Sequence, residues 1–353
     1  MNLLLLILNQ KYLMENIFIL DDKSIVKYGL LSTAQIGINA HLKASYDSKN
    51  SKIVSISSRT KDKAKLVAEE HGIPKWYGSY QEQLNDNEID AVINSLPNNL
   101  HCEWTIKAAE AGKHILCEKP LATSVEDCKK MIDAAKANNV LLVEAFTHRW
   151  NPHLRKAREL IAKNEIGDIS TVDSSLCFNI DNPKGNIRFS KDLSGGSLWD
   201  AGCYAVYAIR FVLSEEPISV SGISQDRGNY GIDTSFSGTL KFSSGAIGNI
   251  TSAMNQSFRC EISIDGSKGR IEIPEMFNDS GSIIIKKGSE SSGIDEKIIS
   301  TPSPYRFVVQ FDEFSECILT GKNPEFPPED GMRNTGVIES LYKSANLGKI
   351  IEI

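Results

Sequence analysis

Residues 26–37 read Val-Lys-Tyr-Gly-Leu-Leu-Ser-Thr-Ala-Gln-Ile-Gly, a short apolar run that ends in small residues and gives way to a helical pattern. Lys27–Leu31 reads as a buried strand, Ser32–Gly37 as its connection, and a helix is predicted to about Ser45. The same phrase then recurs. Strands are predicted at 53–57, 91–96, 114–117 and 140–144, and helices at 62–70, 102–111 and 124–138. Short apolar strands alternating with amphipathic helices call for a parallel sheet with helices on both faces. Residues 26–148 are therefore expected to form a Rossmann-type, doubly wound α/β domain that binds a dinucleotide.

After Trp150 the pattern changes. A helix from Pro152 to Lys163, an extended stretch Ile169–Ile180 and a helix near Cys203–Leu213 precede a series of strands at 218–225, 234–242, 246–254, 260–265, 270–274 and 282–287. Gly, Ser and Asp separate them, as hairpin turns require. Two helices, Arg306–Thr320 and Met332–Ala345, close the chain. Residues 149–353 are expected to form an α+β domain with an open, mostly antiparallel sheet, for substrate binding and oligomerisation.

Residues 1–25 are expected to lie outside the fold. Leu3–Leu8 is apolar for six residues with no basic residue ahead of it, too short for a membrane span and without the basic start and cleavage site of a signal peptide. The 353 residues carry a formal charge of −6, which argues against a nucleic-acid or anionic-membrane partner, since both need an electropositive face. Seven cysteines without a CxxC pair fit reduced thiols in a cytoplasmic protein. No metal is expected: His148 and His153 do not share a helical face, and no acid completes a zinc set. Neither a G-x-S-x-G elbow nor a Walker motif occurs.

A dinucleotide turn normally shows G-x-G-x-x-G, whose glycines let the backbone approach the pyrophosphate at a helix N-terminus. Here the six positions are Ser32, Thr33, Ala34, Gln35, Ile36 and Gly37, so only the last glycine remains. Their place directly after the first strand still points to a dinucleotide. The second strand chooses between cofactors. It ends in Ser58 and Arg59 with Lys63 close behind and no acid at the tip, which suits a 2′-phosphate, and so NADP over NAD.

The most specific text is Glu118-Lys119-Pro120, at the carboxyl end of a strand, where ligands bind in open α/β sheets. Pro120 is a candidate cis residue aiming Lys119 into the cleft. In order along the chain stand Val26–Gly37, Ser58-Arg59, Leu96-Pro-Asn-Asn-Leu-His101, Glu118-Lys-Pro and Gly195-Gly-Ser-Leu-Trp-Asp200-Ala-Gly-Cys-Tyr204. This ordered set resembles the glucose–fructose oxidoreductase / inositol dehydrogenase family over about residues 26 to 350. It is most similar to the NADP-dependent branch of aldose (xylose) and dihydrodiol dehydrogenases, which carries Tyr where inositol dehydrogenases carry His.

The resemblance implies a homo-oligomeric oxidoreductase that moves hydride between NADP and a sugar or related cyclic polyol. Lys119 and Tyr204 would be catalytic, and Asp200, Arg188 and Arg149 would face substrate. Ser32–Gly37, Ser58, Arg59, Lys63, Leu96, Asn98, His101, Glu118 and Lys119 would line the cofactor cleft, the last two near the nicotinamide end. Dihydrodiol oxidation, keto-sugar reduction and a non-catalytic NADP- or sugar-sensing role are the alternatives.

The residue types fit the chemistry. Oxidising a hydroxyl needs a base, and tyrosine, with a pKa of about 10, is a poor one unless a cation favours the phenolate. Two charges about 4 Å apart at an effective dielectric of ~20 interact by ~4 kcal/mol, so a Lys119–Tyr204 pair is expected to bring the relay toward neutrality. Asp200, four residues before Tyr204, would share its helix face and orient substrate hydroxyls.

Overall fold

The computed structural model describes residues 24–289 and 293–353, so most of the predicted leader lies outside the described residues. Two sheets organise the chain. The first runs β3-β2-β1-β4-β5-β6, with strands β1 (Val26–Leu31), β2 (Ser51–Ser57), β3 (Lys75–Tyr77), β4 (Ala91–Asn94), β5 (His114–Glu118) and β6 (Leu142–Ala145). Every pairing in it is parallel. Its strands are apolar because helices cover both faces. They are α1 (a π-helical turn, Gly37–Leu42, continuing as Lys43–Asp47), α2 (Lys61–His71), α3 (Tyr80–Leu84), α4 (His101–Glu110) and α5 (Val125–Ala137).

The order reverses between β1 and β4, which puts a crevice at their carboxyl ends. Gly37 faces that junction: a Cβ there would stand 3.3 Å from Ser95 Oγ and 3.5 Å from a Leu30 methyl, so glycine lets α1 lie close on β1.

Helix α6 (Pro152–Ala162), whose N-terminal amides are capped by Asn151, leads into the second sheet. That sheet has nine strands in the order β14-β13-β12-β11-β7-β10-β9-β8-β15. They are β7 (Ile169–Asn179), β8 (Pro217–Gln225), β9 (Ser235–Phe242), β10 (Ile247–Ala253), β11 (Asn255–Gly266), β12 (Gly269–Ile273), β13 (Gly281–Ser289), β14 (Gly293–Thr301) and β15 (Ile351–Glu352). All pairings are antiparallel except β10 with β7, so the sheet is mixed but mostly antiparallel, as expected. Helix α7 (Cys203–Leu213), entered through a π-helical turn at Leu198–Gly202, is buried against it together with α9 (Pro328–Leu347).

Besides the short β3, α3 and β15, which the sequence reading does not contain, two features depart from it. Strand β14 was not foreseen, because its Gly-Ile-Asp-Glu-Lys start is almost wholly exposed and carries no apolar alternation. Charged edge strands of this kind deter pairing with other chains. The second feature is α8 (Arg306–Thr320), which returns from the second half to cover the first sheet. Phe311 and Phe314 pack on Val26, Tyr28 and Ile56, and the Tyr28 hydroxyl meets Ser315 Oγ at 2.8 Å. Asp312 accepts bonds from Ser48 Oγ (2.6 Å) and Lys49 N (3.2 Å).

Candidate active site

The crevice is built from strand ends. At the end of β1, Ser32 occupies the first glycine position of the nucleotide turn with φ +100°, a conformation that favours glycine. Its hydroxyl donates to Ser95 O (3.1 Å) and accepts from Ala34 N (3.2 Å), which holds the turn. Thr33 and Ala34 are half-buried, the helical turn opens at Gln35, and no side chain caps that end. A backbone turn followed by uncapped helix amides is a cradle for phosphate oxygens. At the end of β2, Ser58 is buried and its amide donates to Tyr77 O (3.2 Å). Arg59 and Lys63 stand exposed beside it, and among the described residues no carboxylate pairs with either. These two cations at an open strand tip fit a 2′-phosphate.

Lys119 leaves the end of β5 through a cis Lys119–Pro120 peptide. Its ammonium donates to the Asp200 carbonyl (2.7 Å) and to Asp200 Oδ1 (3.2 Å), and lies 4.9 Å from the centre of the Tyr204 ring. Asp200 gives its other oxygen to Arg188 Nε at 2.7 Å. The structure thus brings Lys119, Asp200, Tyr204 and Arg188 together. Asp200 comes from the π-helical turn and Tyr204 from the first turn of α7. Asp233 holds the start of that helix by accepting from Leu198 N (2.8 Å) and Ser197 Oγ (2.7 Å).

The electrostatics of the cluster differ from expectation. Burial is the largest single influence and works against the Lys119 charge, but Asp200, Tyr204, Cys203 and Glu118 together outweigh it and keep the ammonium above its ordinary value. Burial likewise opposes the Asp200 carboxylate, yet Lys119 and Arg188 hold it below the usual range. For Tyr204 burial wins: the phenol is pushed above its ordinary value despite Lys119. The pair is not poised at neutrality, because Lys119 shares its charge with Asp200 and the phenol ring is packed among Phe146, His148 and Phe277.

Other candidates serve the frame. Arg149, expected toward substrate or cofactor, is fully buried and points elsewhere. Its guanidinium bonds Glu144 O (2.9 Å), Glu144 Oε2 (2.7 Å) and Asp330 Oδ2 (3.0 and 3.1 Å). Burial, with Asp330 beside it, holds the Glu144 carboxyl above its ordinary value even though Arg149 and the Leu121 amide work against that. His101 does not line an open cleft either. It is fully buried, with Nδ1 2.9 Å from Pro120 O and Nε2 2.9 Å from Leu96 O, and pins the two crevice loops together. Leu96 is buried at that junction. Asn98 donates to Ser194 O (3.0 Å) and so ties the first sheet to the loop ahead of Asp200.

Sequence reasoning missed three groups. His41 on α1 meets Glu118 Oε1 at 2.6 Å, while Glu118 Oε2 accepts from Lys119 N (3.2 Å). Phe277 and His148 pack against the Tyr204 ring and against each other. His148 had been weighed only as a metal ligand, and no cluster that could hold a metal exists among the described residues. All seven cysteines are free, and no described helix is long and apolar enough to cross a membrane.

Comparison with known proteins matches residues 26–146 to the oxidoreductase family with an NAD-binding Rossmann fold, and residues 154–272 to the GFO/IDH/MocA C-terminal domain. The chain is 34% identical to D-xylose 1-dehydrogenase (NADP(+)) 2 of Haloferax volcanii over 92% of its own length and 99% of that enzyme. It is 32% identical to trans-1,2-dihydrobenzene-1,2-diol dehydrogenase of Xenopus tropicalis, over 76% of this chain and 82% of that one. Among solved structures, aldose-aldose oxidoreductase from Caulobacter crescentus, complexed with glycerol, superposes with a TM-score of 0.84 at 29% identity, covering 93% of this chain and all of that one.

Proposed function

The chain belongs to the GFO/IDH/MocA oxidoreductase family, and from that premise we propose that it transfers hydride between NADP and a hydroxyl-bearing carbon of a sugar or related cyclic polyol. The observation that carries this reading is the meeting of Lys119, Asp200 and Tyr204 at the carboxyl edge of the nucleotide-type sheet. The NADP-dependent xylose dehydrogenase and the dihydrodiol dehydrogenase among its relatives support the reaction class.

The residues present fit the cofactor. Ser32–Gly37 would hold the pyrophosphate on backbone amides, and Ser58, Arg59 and Lys63 the 2′-phosphate. The nicotinamide, when bound, supplies the carbon that takes or gives the hydride. Glu118 and Lys119 stand at that end of the crevice. Lys119 is fixed by Asp200 and Arg188, so its ammonium keeps its place beside the phenol without substrate present. Tyr204 is half-buried, and its hydroxyl makes no hydrogen bond among the described residues, which leaves it available to a substrate oxygen.

In oxidation Tyr204 accepts the hydroxyl proton as the carbon–hydrogen bond breaks; in reduction it donates that proton to the new alkoxide. Because the phenol is held above its ordinary value, the resting protein carries the proton at neutral pH. Reduction therefore needs no prior ionisation, whereas oxidation requires the phenolate and should quicken as pH rises.

The same reading makes the protein cytoplasmic, in keeping with its free thiols. It also makes it a homodimer or larger homo-oligomer through the outer face of the second sheet. Ile223 (76% exposed), Phe258 (72%) and Ile247 (42%) stand out on that sheet. Sedimentation as a monomer at micromolar concentration would remove the oligomer.

The function is tested by following nicotinamide absorbance with NADP or NAD and a panel of aldoses, inositols and dihydrodiols. Turnover with NADP and one substrate class is expected. Preference for NAD would overturn the role given to Arg59, and no turnover together with no cofactor binding would overturn the function.

A further inference from the structure

One imidazole beside this site has no partner. His148 lies on the 3₁₀ turn Thr147–Trp150, is fully buried, and makes no hydrogen bond through Nδ1 or Nε2. Its ring centre is 4.6 Å from that of Tyr204, 4.9 Å from Phe277 and 6.0 Å from Phe146. Phenylalanine would fill such an aromatic box without leaving two buried polar atoms unsatisfied, so the nitrogens call for an explanation.

The surroundings fix the form of this ring. Burial first, then the positive charges of Arg306 on α8 and Lys119 after β5, and then His153 on α6, all oppose the imidazolium. A neutral imidazole has one N–H donor and one lone pair. His148 is thus an uncharged donor at working pH, set beside the ring of Tyr204, whose oxygen must already carry negative charge to accept the substrate proton in oxidation and is left with that charge after reduction. That oxygen needs help. Burial opposes the Tyr204 phenolate, Cys203, Glu118 and Asp200 oppose it further, and among these neighbours Lys119 alone favours it while already bonded to Asp200. Arg188, which also acts on Tyr204, is likewise committed to Asp200.

We propose that His148 is a positioning residue for the reaction, its neutral N–H turning to Tyr204 Oη to hold the phenolate that receives the substrate's hydroxyl proton. The proposal rests on Tyr204 as the acid/base. The ring centres are 4.6 Å apart, so rotation of the imidazole about its Cβ–Cγ bond changes whether a nitrogen or a carbon edge faces the phenol. During oxidation the hydroxyl proton passes to Tyr204 Oη, the carbon-bound hydrogen leaves with its electron pair to the nicotinamide, and the carbonyl forms. The proton on His148 stays on its nitrogen throughout. In reduction the same hydrogen bond holds the phenolate left when Tyr204 has given up its proton. A neutral imidazole donates well to an oxyanion precisely because it need not first be charged.

The test compares His148→Phe, which keeps the ring and removes the donor, with His148→Gln, which keeps a donor. The readout is the pH profile of kcat for alcohol oxidation by the full chain with NADP. His148→Phe should move the rising limb upward by about one pH unit and lower kcat about tenfold at pH 7, with KM for NADP unchanged. His148→Gln should restore most of the shift. An unmoved limb in His148→Phe, or an equal shift in both variants, overturns the proposal. If His148→Phe does not fold, ¹⁵N NMR of histidine-labelled wild type with NADP bound replaces it. A His148 N–H resonance that moves as Tyr204 ionises is expected, and one indifferent to that titration overturns the proposal. Tyr204→Phe separates the two levels of the argument: retained turnover there would remove the role of Tyr204 itself, independently of His148.

Discussion

Two ion-pair clusters in this molecule are built from the same kinds of parts, carboxylates held by cations. In one, Glu144 and Asp330 hold Arg149, and Asp330 is shared with Arg210. In the other, Asp200 is held between Lys119 and Arg188. The first is closed: the Arg149 side chain has no exposure, and its Nε and both terminal nitrogens bond carboxylate or carbonyl oxygens. The second is open, with Lys119 at 14%, Asp200 at 19% and Arg188 at 42% exposure, and with the Tyr204 hydroxyl beside it unbonded. Charge alone does not distinguish a structural ion pair from a candidate reaction centre. What distinguishes them is which polar atoms the fold leaves for a ligand.

Substitutions can break that contrast. Lys119→Ala and Tyr204→Phe should each lower turnover by about 10²–10⁴-fold while leaving NADPH binding, read by fluorescence, within a few-fold of wild type. Comparable rates in either variant would end the distinction drawn here. Arg149→Met should instead unfold the protein more easily, by about 3–5 kcal/mol in urea, because Glu144 and Asp330 are left buried without their cation. The surviving folded fraction should keep its KM. Loss of activity without loss of stability would move Arg149 back to the substrate.

Smaller effects sharpen the same comparison at the cofactor end. Arg59→Ala should raise KM for NADP by roughly tenfold and leave that for NAD nearly unchanged, since only the 2′-phosphate loses a charge-assisted bond. Ser32→Gly relieves a positive φ and should stabilise the fold by up to about 1 kcal/mol, read as a rise in Tm. A fall would show that the bonds of Ser32 to Ser95 and Ala34 outweigh the strain.

Much of this was legible in the sequence. The apolar strands of the first sheet and the turn at Ser32–Gly37 could be placed because each depends on local pattern or on position after a strand, whereas Lys119, Asp200 and Tyr204 came from the ordered motifs of the family resemblance. Arg149 could not be read correctly, because one of its partners is Asp330, 181 residues away. The resemblance put His101 in the cofactor cleft, and only the folded loops show both its nitrogens facing carbonyls. The protonation of Tyr204 also escaped the pairwise argument, which counted Lys119 and left out the rings of Phe146, His148 and Phe277. Strand β14 escaped for the opposite reason, being an edge with too little buried surface to leave a pattern.

The return of α8 to the first sheet has a consequence for biosynthesis. A nascent chain that has emerged only as far as residue 148 still exposes the face of Val26, Tyr28 and Ile56 that Phe311 and Phe314 will cover. About 170 further residues must be made before that face is sealed, which at ~5–20 residues per second is roughly 10–35 s of synthesis. During that interval the nucleotide-binding half is a natural client for chaperones, and a stop codon anywhere before α8 would release it with its hydrophobic side bare.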